Sequence, residues 1–149
     1  MLMQACVGGL SWAEVEARLV EAARVWRALE SGRWPFASDG PWHMFVRERG
    51  DWGWLDERAD RWERGARLRP SRAEIGAAEE AVGWLRLVPE RDRRLVVLAV
   101  TMLATGESRV PWRRLLPLMG LKLGEHGLRR RYDRAIQSIS QALGNRVDR

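Results

Sequence analysis

Arginine is concentrated in the last third of the chain, where its spacing gives it a specific chemistry. Arg113 and Arg114 form one pair and Arg129, Arg130, Arg131 and Arg134 a second group, with Lys122 and His126 between them. A guanidinium pairs bidentately with guanine or with phosphate oxygens, and glutamine does the same with adenine, but Gln137 and Gln141 stand too far along the chain for that role. These eight basic side chains are the candidate polyanion-binding residues. The charge of the chain converges on the same stretch. Residues 1–106 hold equal numbers of basic and acidic side chains, and residues 107–149 carry the whole formal charge of +6. A neutral front and a basic end imply a body with a polyanion-binding end, and double-stranded DNA is the expected partner.

Other chemistries find little support. His43 and His126 are the only histidines and Cys6 the only thiol, and no spacing among them gives the four ligands of a zinc site. Asp56, Glu57, Asp60 and Glu63 alternate with Arg58, Arg61 and Arg64, the pattern of an ion-paired helix face. The chain has no glycine-rich phosphate loop, nucleophile elbow or histidine dyad. The expectation is a protein that is not an enzyme, with no catalytic residue, metal or cofactor. Five of nine tryptophans, Trp34, Trp42, Trp52, Trp54 and Trp62, crowd into one segment. Stacking on single-stranded bases is one use for them. Core filling is favoured, because Trp26 and Trp84 sit on apolar stripes. Trp42-His43-Met44-Phe45 and Trp52-Gly53-Trp54 are the segments that would meet a protein partner if exposed together.

The elements that position the basic residues read as helices throughout. Ser11 and Glu14 form a capping box, followed by a stripe of Val15, Leu19, Ala22, Trp26 and Leu29 and closed by Gly32. Short helices are expected over 41–49 and 54–64, with a turn between Gly50 and Gly53. Leu68-Arg69-Pro70 reads as a linker. Ser71 and Glu74 form a second capping box, followed by Ile75, Ala78, Val82, Leu85 and Val88 on one face. After Pro89 a helix over 90–105 has an almost fully apolar middle at 95–103, which predicts burial on most sides, and Gly106 closes it.

Two further helices carry the basic set. Pro111 suits the first turn of a helix over 112–119, and Gly120 supplies the left-handed residue that ends it. The second runs over about 124–143. At roughly 100° per residue, Leu128, Tyr132, Ala135, Ile136, Ile139 and Leu143 share an inward face. His126, Gly127, Arg130, Arg134, Gln137 and Gln141 form the outward one, flanked by Arg129 and Arg131. Such a face suits a helix lying in the major groove, where base-reading side chains come from the N-terminal turns, favouring His126 and Arg130.

The run Leu128-Arg129-Arg130-Arg131-Tyr132-Asp133-Arg134-Ala135, followed by Ile136 and Ile139, resembles the recognition helix of region 4 of bacterial sigma factors. Trp112-Arg113-Arg114-Leu115-Leu116-Pro117-Leu118-Met119-Gly120 fits the helix that precedes it there. The stretch 73–143 is also similar to an uncharacterised helix-turn-helix family of alphaproteobacteria and their phages. That likeness rests on Gly83-Trp84-Leu85, the apolar helix, the Pro111-Trp112 step and the Arg-Arg-aromatic run. The resemblance implies a helix-turn-helix over 111–143, with RNA polymerase as an additional partner left open. Four features depart from the pattern. Pro117 is expected to kink or shorten the first helix, and Leu116 stands where a small residue is usual. The turn is about two residues longer than usual, and Gly124 and Gly127 are expected to weaken the start of the second helix.

At 149 residues, 46% hydrophobic and 31% charged, the chain can bury a core. A lone cysteine gives no disulfide framework, residues 1–7 lack a signal-peptide pattern, and no run approaches the roughly 20 apolar residues of a membrane span. A cytoplasmic, all-α protein is expected, with residues 1–67 as a Trp-rich interaction or oligomerisation lobe and 71–149 as the helix-turn-helix lobe. The leading function is sequence-specific binding of duplex DNA by a transcriptional regulator of bacterial or phage origin. The competing readings are a small terminase subunit, marked by a ring-shaped homo-oligomer, and a protein-interaction module or inhibitor acting through the Trp-rich segment.

Overall fold

The computed structural model describes residues 9–30 and 70–147, which form five α-helices and a 3-10 turn, with no strand among them. They are α1 (Trp12–Glu30), α2 (Arg72–Gly83), the 3-10 turn Trp84–Leu87, α3 (Glu90–Ala104), α4 (Trp112–Leu118) and α5 (Glu125–Val147). The expected all-α class holds. The tryptophans from 34 to 62, the short helices at 41–49 and 54–64, His43, Cys6 and the ion-paired stretch 56–64 lie outside the described residues.

Both capping boxes form as their sequences require. The Ser11 N–H donates to Glu14 Oε2 at 2.7 Å and the Glu14 N–H donates to Ser11 Oγ at 3.3 Å. Ser71 and Glu74 repeat the exchange at 2.6 and 3.2 Å. Each box satisfies two N–H groups that a helix start otherwise leaves without acceptors. The Ser11 backbone N–H, with the Ser11 hydroxyl second, holds the Glu14 carboxyl below its usual range.

Helix α3 lies at the centre, with every residue from Leu95 to Met102 buried. Its buried hydroxyls are satisfied locally, Thr101 Oγ1 donating to the Val97 carbonyl at 2.7 Å and Thr105 Oγ1 to the Met102 carbonyl at 2.6 Å. Arg93 Nε reaches back to the carbonyls of Leu85 and Val88 at 3.0 and 3.1 Å, closing the corner between the 3-10 turn and α3.

A boundary near residues 67–71 does not set α1 apart from the later helices. Helix α1 packs against α2, α3 and α5, and its Val15, Leu19, Ala22, Ala23 and Val25 belong to the same apolar cluster as the C-terminal helices. The reason is its own stripe, which must be covered, and the apolar faces of α2 and α3 cover it. Polar ties follow the same path. Trp12 Nε1 donates to the Asp133 carbonyl at 3.4 Å, Tyr132 donates to Glu16 Oε2 at 2.7 Å, and Ser140 Oγ donates to the Leu10 carbonyl at 2.6 Å.

Among the described tryptophans Trp84 is buried, and Trp12, Trp26 and Trp112 are half-buried against the core, the core-filling role expected of them. Trp12 and Trp112 both meet Tyr132 edge-on, with ring centroids 6.2 and 5.5 Å away. Burial above all, then the hydrogen bond to the Glu16 carboxylate, pushes the Tyr132 phenol above the ordinary tyrosine range. The folded chain therefore keeps a proton that the unfolded chain releases near pH 10. Stability is full below that pH and declines as the pH rises beyond it. Tyr132 is the only tyrosine, so an ultraviolet titration reads it alone. Phenolate absorbance is expected to appear only together with loss of helicity. Ionisation near pH 10 in a still-helical protein would contradict this burial.

Candidate nucleic-acid interface

The basic residues are positioned by α4, by the turn after it and by α5. Helix α4 buries Leu115 and Leu116, and Trp112 at its start packs on Tyr132. It has only seven residues, and Pro117 stands inside its last turn, in line with the expected shortening. The end is closed in a Schellman arrangement. The Leu121 N–H donates to the Leu116 carbonyl at 2.8 Å and the Gly120 N–H to the Pro117 carbonyl at 3.0 Å. That geometry needs a left-handed residue, and Gly120 supplies it with φ +71. Arg94 Nη2 donates to the Leu118 carbonyl at 3.2 Å, tying this end to α3.

Gly124 has a more specific role than weakening a helix. Its φ is +113, and its carbonyl accepts the N–H of Leu128 at 3.0 Å, so it bends the chain into α5 and receives the first helical bond. Helix α5 then buries Leu128, Tyr132, Ala135, Ile136 and Ile139, with Leu143 half-buried. His126, Gly127, Arg130, Arg134, Gln137 and Gln141 are all exposed, so both faces read from the sequence are those observed.

The eight candidate residues divide into three groups. Lys122, His126, Arg129, Arg130 and Arg134 are exposed, and none forms an ion pair with a described residue. Arg113 and Arg114 are exposed but engaged. Arg113 Nε donates to Glu125 Oε1 at 2.6 Å, and Arg114 Nη1 reaches Glu107 Oε1 at 3.4 Å. Exposed pairs of this kind contribute about 0–1 kcal/mol, so a phosphate competes with each carboxylate. Glu125 also stands in the first turn of α5, where the helix dipole favours a negative charge. The Arg113 bond thereby ties α4 to the start of α5.

Arg131 departs from the expected set. Its Nε donates to Asp92 Oδ1 at 2.8 Å and its Nη2 lies 2.7 Å from the same oxygen, while Nη2 also donates to the Arg91 carbonyl at 3.2 Å. The Asp92 side chain is 9% exposed and that of Arg131 29%. Arg131 thus leans to the inward side of α5 and fastens it to the first turn of α3. Arg131→Ala leaves a buried carboxylate without its main partner, a loss that usually costs about 3–5 kcal/mol. Arg91, whose Nε is 3.7 Å from Asp92 Oδ2, offsets part of it, so about 2–3 kcal/mol is expected by urea denaturation. A midpoint unchanged by Arg131→Ala would return Arg131 to the exposed set.

Glu107, Glu125 and Asp92, the carboxylates that sort these arginines, were not singled out by sequence patterning. Asp92 carried a weak signal as an acidic residue in the first turn of a helix otherwise entering the core. Among the described residues no group of three or more His, Cys, Asp and Glu side chains converges to hold a metal ion, and no helix is long and apolar enough to cross a membrane. Comparison with protein families, with functionally described proteins and with solved structures finds no match for the chain.

Proposed function

We propose that the chain binds double-stranded DNA through α4, the turn and α5 acting as a helix-turn-helix, and that it regulates transcription in a bacterium or phage. One observation carries this reading. The outward face at the start of α5 presents His126, Arg129, Arg130 and Arg134, exposed and without a carboxylate partner among the described residues. Opposite charges three or four residues apart on a helix face can pair and stabilise it. Here the arginines that do find carboxylates, Arg113, Arg114 and Arg131, lie off this face or at its edge. The remaining cations make a surface suited to phosphate oxygens and base edges. In this reading the protein is a binder and not a catalyst, and its likeness to sigma region 4 is one of helix pattern.

His126 and Arg130 stand in the first turns of α5, from which side chains reach base edges, and Lys122, Arg129 and Arg134 hold phosphates. Gln137 and Gln141 lie further along the helix, beyond the bases. The test is selection of duplexes from a random library at near-physiological salt, followed by titrations of the selected and a scrambled duplex. Arg130→Ala is expected to cost about 1–3 kcal/mol on the selected duplex and less on the scrambled one, whereas Arg134→Ala weakens both alike. Equal weakening of both duplexes by Arg130→Ala would make Arg130 a phosphate contact. A library that yields no bound duplex would contradict DNA binding itself.

A further inference from the structure

Two large apolar side chains are exposed among the described residues, and both stand in the turn between α4 and α5: Leu121 is 40% exposed and Leu123 is 87% exposed. Leu121 has a structural role, because its N–H closes the end of α4 on Leu116, and the residue at that position commonly packs back on its helix. Leu123 has none. It immediately precedes Gly124, whose carbonyl accepts the first bond of α5 from Leu128. An apolar residue at that position ordinarily folds onto the fourth residue of the helix as a hydrophobic staple, and here that residue is Leu128. Leu128 is 1% exposed and Leu123 87%, so the staple is not made and Leu123 points to solvent.

The chain neighbours of Leu123 favour one kind of occupant. Lys122 is its chain neighbour, and His126, Arg129 and Arg130 follow in the first turns of α5, all exposed. An apolar patch on a protein would have to bury these cations together with the leucine, at a large desolvation cost. A DNA duplex neutralises the cations with phosphates, and its major groove offers one prominent apolar feature, the C5-methyl group of thymine. We infer that Leu123 is a specificity-determining residue that packs on a thymine methyl at the N-terminal end of α5. The inference rests on the DNA-binding reading above and extends it from the helix to the turn.

The experiment uses the duplex selected by the full-length protein and copies in which single thymines are replaced by deoxyuridine. That replacement removes the methyl group and keeps every base-pairing hydrogen bond. At one position the wild-type protein is expected to bind the deoxyuridine copy about fourfold more weakly, which corresponds to about 0.8 kcal/mol for one buried methyl group. Leu123→Ala is expected to bind the thymine duplex about as weakly as that and to lose the discrimination. Its melting temperature stays at the wild-type value because the side chain is exposed, so weaker binding is not unfolding. Discrimination that persists in Leu123→Ala, or a wild-type protein indifferent to every replacement, overturns the inference and leaves DNA binding standing. Light scattering in which Leu123→Ala converts a dimer to a monomer also overturns it, since a second copy then covers the leucine. Failure of the wild-type protein to bind any duplex removes the DNA-binding reading, and the inference with it.

Discussion

Tyr132→Ala is expected to remove about 3–5 kcal/mol of stability, the range for deleting a buried aromatic side chain. Tyr132 is 2% exposed and stands where three helices meet. Trp12 of α1 and Trp112 of α4 approach its ring edge-on, at interplanar angles of 84° and 61°. Its hydroxyl is held by Glu16 of α1 at 2.7 Å. Each aromatic pair contributes about 0.5–1.5 kcal/mol beyond area burial, so truncation removes two such terms along with the ring's own packing. A domain of this size has about 5–15 kcal/mol in total, and the loss is a large share of it. Tyr132→Phe isolates the polar part. It keeps both ring contacts and gives up one hydrogen bond to a charged group, about 1.5–3 kcal/mol at most, less here because Glu16 is only half-buried and regains water. Urea denaturation followed by circular dichroism measures both. Tyr132→Ala with a wild-type midpoint would mean that the ring does not join α1, α4 and α5.

Elements were legible in the sequence where one local rule decided them. Ser11–Glu14 and Ser71–Glu74 announce helix starts because the partner groups lie three residues apart. The inward and outward faces of α5 follow from helical spacing alone. Pairing across elements was not legible, because nothing local encodes it. Arg131 meets Asp92 across 39 residues and Arg113 meets Glu125 across 12. The helical wheel still carried a trace of the first. Arg131 lies three residues after Leu128 and four before Ala135, so it borders the buried face, whereas Arg130 points away from it.

Glycine misled in one place and informed in another. Gly120 was readable as a helix stop because a sharp reversal needs a left-handed residue. Gly124 read as a weakness in a helix, and its φ of +113 shows a residue that directs the helix start instead. The extension of α5 beyond 143 carries a single apolar sign in the sequence, Val147 four residues after Leu143. It is accompanied by contact with the N-terminal segment, where a Cβ on Gly9 would stand 3.0 Å from the Gly144 Cα. For α1 the stripe showed that one face must be buried, and the structure supplied the partners, α2, α3 and α5.

Duplex binding measured against salt concentration tests the proposed function most directly. Lys122 in the turn and Arg129, Arg130 and Arg134 near the start of α5 form no ion pair with a described residue, while Arg113, Arg114 and Arg131 are already engaged by Glu125, Glu107 and Asp92. About four bound cations, three on phosphates and Arg130 beside them in the groove, displace counterions and give a log–log slope of about −3 to −4. Between 50 and 200 mM salt the affinity is then expected to fall roughly a hundredfold. Contacts from all seven cations would steepen the slope to about −6, and the carboxylate partners are the reason to expect the smaller value. A slope near −3 to −4, made shallower by about one unit in Arg134→Ala, is the predicted result. A slope near zero, or no retardation of duplex DNA even at low salt, would contradict it.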